Sequence, residues 1–274
     1  YWRGDERNPM LQRIYGTAFA DPKSLRVYLQ QLEEAKKRDH RKLGRELGLI
    51  AFHELAPASP FFLPRGASIY NKLVEYVREL ELRHGYVEVI TPQIFDRKLF
   101  ETSGHLPTYA ENMFLAITLE NIEETAAELT KGTDLDPKAI EKLIRDKTRF
   151  GVKPMNCPSH CLLFGSELKS YRDLPLRIAD FGRLHRYERS GVTQGLTRVR
   201  TFAQDDGHIF CTKEQMPGEI EGFFQLVFDV YKDFGFTDVK IAIATRPESR
   251  IGTDESWDYA EKALTLAAEA KSIP

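Results

Sequence analysis

Hydrophobic positions along this chain follow two periods, and each predicts a different element. Ile69, Leu73, Val77 and Leu80 return every three or four residues, a single apolar stripe that predicts a helix over 66–84, closed by His84 and Gly85. Tyr86-Val87-Glu88-Val89-Ile90 then reads as a strand stopped by Pro92. Residues 22–47 start a helical stretch at Pro22 and stay free of Gly and Pro until Gly44. Further helices are predicted after Pro158 to residue 169, over 213–234 and over 254–270, with strands over 176–188, 197–210 and a buried 238–245. Residues 119–149 form a polar insertion of two helical patterns, hinged at Lys131-Gly132-Thr133-Asp134 and Asp136-Pro137. The proline-rich stretch from Pro57 to Arg65 reads as a loop or edge element and as the best domain boundary. Strands grouped beside helices, without regular βαβ alternation, predict an α+β domain on a mainly antiparallel sheet.

Composition narrows the class. At 274 residues, 42% hydrophobic and 29% charged, the chain is globular rather than disordered, and no apolar run approaches the length of a membrane span. A net charge of −2 excludes a protein that coats nucleic acid through overall basicity, yet it permits local basic patches. The stretch Lys36-Lys37-Arg38-Asp39-His40-Arg41-Lys42 is such a patch, either a solvated helix face or a surface for RNA backbone. Three cysteines are too few for a disulfide scaffold and suit a reducing cytosol, so a cytoplasmic location is expected. The start at Tyr1 and the stop at Pro274, just after a helical pattern, are both expected to be cuts inside a larger protein.

Candidate chemistry concentrates between residues 155 and 211. In an extended Thr197–Ile209 segment, Arg198, Arg200, Phe202, Gln204, Asp206 and His208 would share one face, about 33 Å long. That face mixes cations, a ring, an amide, a carboxylate and an imidazole, which a merely solvated strand has no reason to do. The preceding strand adds Arg186 and Glu188, and a loop with two glycines, Arg189 to Gly195, joins the two. From Arg172 to Arg200 every cation except His185 is arginine, the residue that grips phosphates in a fork. Cys157, His160, Cys161, His185, His208 and Cys211 cluster in the same region, although no CxxC pair is present and spacing alone makes a weak case for a metal.

Longer motifs run through these residues: Met155-Asn156-Cys157-Pro158, Tyr171-Arg172-Asp173-Leu174-Pro175-Leu176-Arg177, Arg186-Tyr187-Glu188, and Arg198-Val199-Arg200 through Gln204-Asp205-Asp206-Gly207-His208-Ile209-Phe210-Cys211. Together with Tyr1-Trp2-Arg3-Gly4-Asp5 at one end and Trp257 and Ala260-Glu261 at the other, they resemble the threonyl-tRNA synthetase family of class II aminoacyl-tRNA synthetases. The resemblance implies a class II fold, a mainly antiparallel sheet flanked by helices. Residues 1–50 would be a helical linker that follows a missing editing domain, and 51–274 a catalytic domain incomplete at its C-terminal end. It further implies ATP-dependent activation of threonine and transfer to tRNA(Thr), with the isolated chain inactive. Arg186 would hold the ATP α-phosphate as the catalytic residue, with Glu188, Val199 and Phe202 around adenine. Met155, Gln204 and Asp206 would take threonine. Cys157 and His208 would bind one Zn²⁺ per subunit with a third ligand beyond Pro274, Mg²⁺ would accompany ATP, and the 66–92 region would build a homodimer.

The sequence departs from the family pattern in three respects. The 119–149 insertion is long, Ser159 and Tyr187 replace a glycine and a small polar residue, and the third sequence motif with its ATP-binding arginine would lie beyond Pro274. Two rival readings stay open. One is a non-catalytic RNA-binding or regulatory fragment of the same fold; the other is a different class II enzyme such as a prolyl one, against which Cys157 and His208 argue.

Overall fold

The computed structural model describes residues 7–12, 14–130, 136–236, 238–248 and 250–270. Along the chain, α1 (Pro22–Lys37) opens under an Asp21 cap whose carboxylate accepts from the Lys23 and Ser24 amides. The predicted 22–47 helix is in fact two, because Asp39 caps a new start and α2 (His40–Glu46) follows. Gly44 is buried in α2 at a point where a Cβ would run into the Ile50 side chain, 2.6 Å from Cγ1. A hairpin comes next, β1 (Ile50–His53) and β2 (Ala56–Phe62), so the proline-rich stretch serves as an edge strand. Then follow α3 (Pro64–Arg83), β3 (Tyr86–Glu88), β4 (Ile94–Asp96), α4 (Arg97–Thr102), α5 (His105–Tyr109) and β5 (Leu115–Ala116). Gly85, at φ +78°, carries the turn from α3 into β3.

The insertion forms α6 (Leu119–Leu129), started by a capping box of Thr118 and Asn121, and α7 (Pro137–Lys147), capped by Asp136. The predicted hinge at Lys131–Asp134 lies outside the described residues. Next come β6 (Phe150–Val152), α8 (Cys157–Gly165), β7 (Leu176–Asp180), β8 (Arg183–His185), β9 (Thr201–Ala203), β10 (Asp206–Phe210), α9 (Met216–Asp233) and α10 (Asp254–Ala270). No described helix is long and apolar enough to cross a membrane.

The chain divides into two compact units, each assembled from three separate segments. The first comprises residues 1–75, 92–156 and 182–204. It holds β1–β2, the three-stranded order β4-β6-β5 and the pair β8–β9. Its core gathers Phe100, Leu106 and Met113, with Phe95 and Tyr109 packed against them. The stretch from Pro57 to Arg65 lies inside this unit. The second comprises 76–91, 157–181 and 205–274, with the order β10-β7-β3, in which buried Ile178 and Ala179 sit on the central strand. Every ladder among the described residues is antiparallel except β3–β7, as an α+β fold with mainly antiparallel pairing requires.

Two predicted strands come out differently. Residues 176–188 and 197–210 each break in two: β7 and β10 pair in one sheet, β8 and β9 in another. Residues 238–245 form no ladder among the described residues, although Val239, Ile241 and Ile243 alternate half-buried with exposed neighbours as a strand would. Alternation reports a two-sided environment, and here no hydrogen-bonded partner accompanies it.

Gly66 sits where the first turn of α3 passes the Leu49 backbone, and a Cβ there would overlap the Leu49 carbonyl oxygen. Backbone cannot swing aside as a side-chain tip can. Gly66→Ala is therefore expected to destabilise the first unit by about 2–3 kcal/mol in urea unfolding. An unchanged midpoint would show that α3 shifts freely.

Candidate functional site

In the first unit, Arg186 and Phe202 meet directly: the guanidinium lies over the ring, 5.0 Å from its centroid. The Arg186 Nε–H donates to the Pro154 carbonyl at 3.2 Å, and its backbone N–H donates to the Arg200 carbonyl at 2.9 Å. Arg186 is thus fixed from both ends beside Met155. Glu188 is buried and accepts from Arg198 Nε at 2.9 Å, while its carbonyl accepts from Arg200 Nε at 2.8 Å. The Arg200 guanidinium also covers the Tyr187 ring at 4.8 Å, and Phe114 meets that ring edge-on at 5.5 Å. The departure from a small residue at Tyr187 therefore has a packing reason. Val199 lies half-buried between the two arginines, and Gln204 is exposed just after β9.

The second unit holds a chain of polar contacts around α8 and β10. His208 Nδ1 and His160 Nδ1 are 2.7 Å apart, so one ring donates to the other. His160 is fully buried, and its Nε2 lies 3.5 Å from Asp180 Oδ2. That carboxylate accepts from Thr91 Oγ1 at 2.7 Å, and Ser159 donates to Thr91 at 3.4 Å, which gives Ser159 a reason of its own. Asp206 Oδ1 stands 3.5 Å from His208 Nδ1. Burial pulls the His208 imidazole below its ordinary range, Asp206 opposes this, and His160 adds to it. Cys157 begins α8 one turn before His160, on the same helical side.

The predicted site residues thus fall into two groups. Met155, Arg186, Glu188, Val199, Phe202 and Gln204 belong to the first unit, and Cys157, Asp206 and His208 to the second. The expected single face from Arg198 to His208 is not one strand. Arg198 and Arg200 precede β9 and are committed to Glu188, and the strand ends at Ala203 before β10 begins. Of the arginines between 172 and 200, Arg177 forms a fork with Glu219, both bonds 2.6 Å, so it ties β7 to α9. Cys157, Cys161 and Cys211 are free thiols.

Sequence reading passed over two residues. His105 Nε2 lies 3.3 Å from Met155 Sδ, and its Nδ1 is 2.8 Å from Ser103 Oγ. Burial holds that imidazole below its usual range. The Ser103-Gly104-His105 run was the available signal, since Gly104 at φ +76° turns the chain into α5. Glu81 is the other: it stands four residues after Val77, on the apolar side of α3, and is 7% exposed.

Comparison with known proteins gives this geometry a lineage. Residues 140–270 match the family model of the tRNA synthetase class II core domain (G, H, P, S and T). The whole chain is 54% identical over 274 residues to the threonine–tRNA ligase of Bdellovibrio bacteriovorus, and 50% identical to that of Saccharophagus degradans. It spans 38% and 39% of their lengths. Among solved structures, the RNA binding domain of threonyl-tRNA synthetase from Cryptosporidium parvum Iowa II aligns with a TM-score of 0.69 and 39% identity, over 86% of this chain and 52% of that one. A prolyl-tRNA synthetase of Giardia lamblia shares the fold alone, with a TM-score of 0.56 and 17% identity over 70% of this chain and 35% of that one. Identity of 54% and 50% over all 274 residues, against 17% for the prolyl enzyme, separates the threonyl from the prolyl relatives, and the chain belongs to the threonyl-tRNA synthetase family of class II tRNA synthetases.

Proposed function

We propose that this chain supplies the ATP and threonine chemistry of a threonine–tRNA ligase, which activates threonine to threonyl-adenylate and passes it to tRNA(Thr). The observation that carries this reading is the 54% identity, end to end, with a threonine–tRNA ligase. The threonine carboxylate attacks the α-phosphorus of ATP, which enters with Mg²⁺; the new C–O–P link forms as pyrophosphate leaves. Arg186 serves the α-phosphate, held for that task by Pro154 and Phe202. Phe202 serves adenine by stacking, with Val199 and Glu188 beside it. Met155, Gln204 and Asp206 serve threonine.

Zinc fits the donor set of the second unit in kind, a thiolate and an imidazole. With Nδ1 of His208 engaged by His160, Nε2 is the ring nitrogen left for a metal. A consistent set of tautomers follows: His208 Nδ1–H donates to His160, and His160 Nε2–H faces Asp180. No group of three such side chains occurs among the described residues, so Cys157 and His208 are proposed as two ligands of an incomplete set. Held by these residues, the ion would supply Lewis acidity toward the side-chain hydroxyl of threonine, which valine lacks.

A homodimer is proposed through 66–92, because Ile69 and Leu73 are 51% and 44% exposed and Val87 and Ile90 are 51% and 92% exposed. The free thiols suit a cytoplasmic location. Spanning 38% of that ligase, the chain by itself is proposed to be inactive. A second reading, a non-catalytic RNA-binding fragment, draws on the similarity to the RNA binding domain of the Cryptosporidium threonyl-tRNA synthetase.

The test is a chimera in which this chain replaces the matching stretch of the Bdellovibrio enzyme. Threonine-dependent ATP–pyrophosphate exchange within about tenfold of the parent is expected, with stoichiometric zinc that Cys157→Ser removes. A folded chimera that binds RNA but exchanges nothing would favour the second reading, and exchange that depends on proline would overturn both.

A further inference from the structure

We propose that the cavity enclosed by α2, the β1–β2 hairpin and the 190–198 loop seats one nucleotide of a single-stranded RNA, its phosphate on Arg41 and Arg45 and its base on Phe52. The proposal rests on the reading of the chain as part of a tRNA ligase and deepens it by assigning a subsite for the RNA. The cavity holds about 530 Å³, a size suited to a small organic group, and all its walls belong to the first unit. Arg41, Arg45, Phe52, Gln194 and Arg198 line it.

Charge and ring together argue for a nucleotide. The basic stretch reaches this cavity at Arg41, and the cations of the stretch and of the cavity wall differ in how far they are already neutralised. Lys36 and Lys37 pair with Glu33 and Glu34 along α1, Arg41 pairs with Asp39 at 2.5 Å, and Arg198 pairs with Glu188. Arg45, exposed in the last turn of α2, has no carboxylate partner among the described residues. Phe52 is 45% exposed on the same cavity. A solvated helix face needs no aromatic ring beside its cations, and an acidic peptide would not need one either. A nucleotide uses both, a phosphate for the guanidinium fork and a base for the ring.

The walls are also held in unusual backbone geometry. Ala58 lies at φ +56°, a conformation disfavoured for any residue with a Cβ, and its carbonyl accepts from the Arg200 N–H at 2.8 Å. The β1–β2 register slips between Ala51 and His53. Across the cavity, His40 Nε2 accepts from the Leu196 N–H at 2.9 Å. Gly195, at φ +49°, allows that approach, since a Cβ there would overlap the His40 ring and stand 2.9 Å from Arg41 Cγ. The Leu196–His40 bond ties the 190–198 loop to α2 across the cavity.

The experiment measures fluorescence anisotropy of the 274-residue chain with a labelled eight-nucleotide single-stranded RNA, the matching RNA duplex and heparin, between 50 and 200 mM salt. Arg45→Gln is expected to weaken the single strand about 5- to 30-fold and to reduce the salt slope by about one. Phe52→Ala is expected to weaken it about 5- to 100-fold and to leave duplex and heparin within about twofold. Phe52→Leu keeps the apolar packing and should match the alanine variant. Lys36→Gln, outside the cavity, should change little. The proposal is overturned if the wild-type chain shows no saturable binding, if Arg45→Gln or Phe52→Ala binds as tightly as wild type, if Phe52→Leu restores binding, or if Phe52→Ala weakens all three polyanions alike. No ATP or threonine is present, so a chimera that fails to activate threonine leaves this result standing, and the reverse also holds.

Discussion

Replacing Arg186 with alanine in the chimera is expected to lower threonine-dependent pyrophosphate exchange about 30- to 1000-fold, a loss of about 2–4 kcal/mol of transition-state stabilisation. The reason lies in how the guanidinium is held. One nitrogen is committed to the Pro154 carbonyl, and the flat group rests on Phe202, so the remaining N–H donors keep their direction without being consumed. A donor already fixed in place need not reorganise as charge builds on the α-phosphate. Lysine cannot take this place, because a point charge on a flexible stem neither stacks nor forks, and Arg186→Lys should recover little of the rate. Phe202→Ala should separate from it by raising the Michaelis constant for ATP about 5- to 100-fold while leaving that for threonine near its parent value. Equal damage to both substrates, with unfolding midpoints lowered, would mean that the pair is structural.

A larger effect on stability than any surface change is expected at Glu81. This carboxyl is 7% exposed and lines a cavity of about 310 Å³ with Val77, Tyr86, Phe223, Leu226 and Tyr231. Burial, then the nearby Asp205 and Glu88 charges, push its pKa from 4.5 up to about 7; Arg78 opposes, but its guanidinium is forked onto Glu88 at 2.6 and 2.9 Å. Because the folded state holds this proton more tightly than the unfolded chain, the contribution is fully present below pH 4.5 and is lost as pH rises to about 7. The fall should amount to about 2–3 kcal/mol. Glu81→Gln keeps the shape and cannot ionise. Urea unfolding should find it about 2–3 kcal/mol more stable than wild type at pH 8 and equal to it at pH 4. Parallel pH profiles for the two proteins would refute the assignment.

The elements most legible in the sequence were those whose pattern is local. The helix over 254–270 has its predicted bounds because its apolar period and its acidic first turn lie within the segment itself. The 197–209 segment was harder, since alternation tells that a stretch is extended but not which strand it pairs with. Thr201–Ala203 pairs with β8 and Asp206–Phe210 with β7, and the change of partner falls at Gln204-Asp205, where neither glycine nor proline marks it. Arg198 and Arg200 looked like phosphate ligands by residue type, and only the folded chain shows Glu188 taking both. His160 stood in the sequence cluster without a role, because its contact with His208 joins positions 48 residues apart. Glu81 did carry a local signal, an acid four residues after Val77 on the apolar stripe.

The two units interleave, with the chain passing between them after residues 75, 91, 156, 181 and 204. This orders events during synthesis. The first unit has all of its residues once Gln204 has been made, whereas the central strand β7 then has only its short parallel neighbour β3. Its other edge, with buried Ile178 and Ala179, stays bare until Asp206–Phe210 emerges from the ribosome. A half-paired apolar strand is a template for the wrong partner, so this interval is the nascent chain's window of vulnerability to aggregation. Synonymous codons that slow translation after β7 has left the ribosome and before β10 has done so would widen the window.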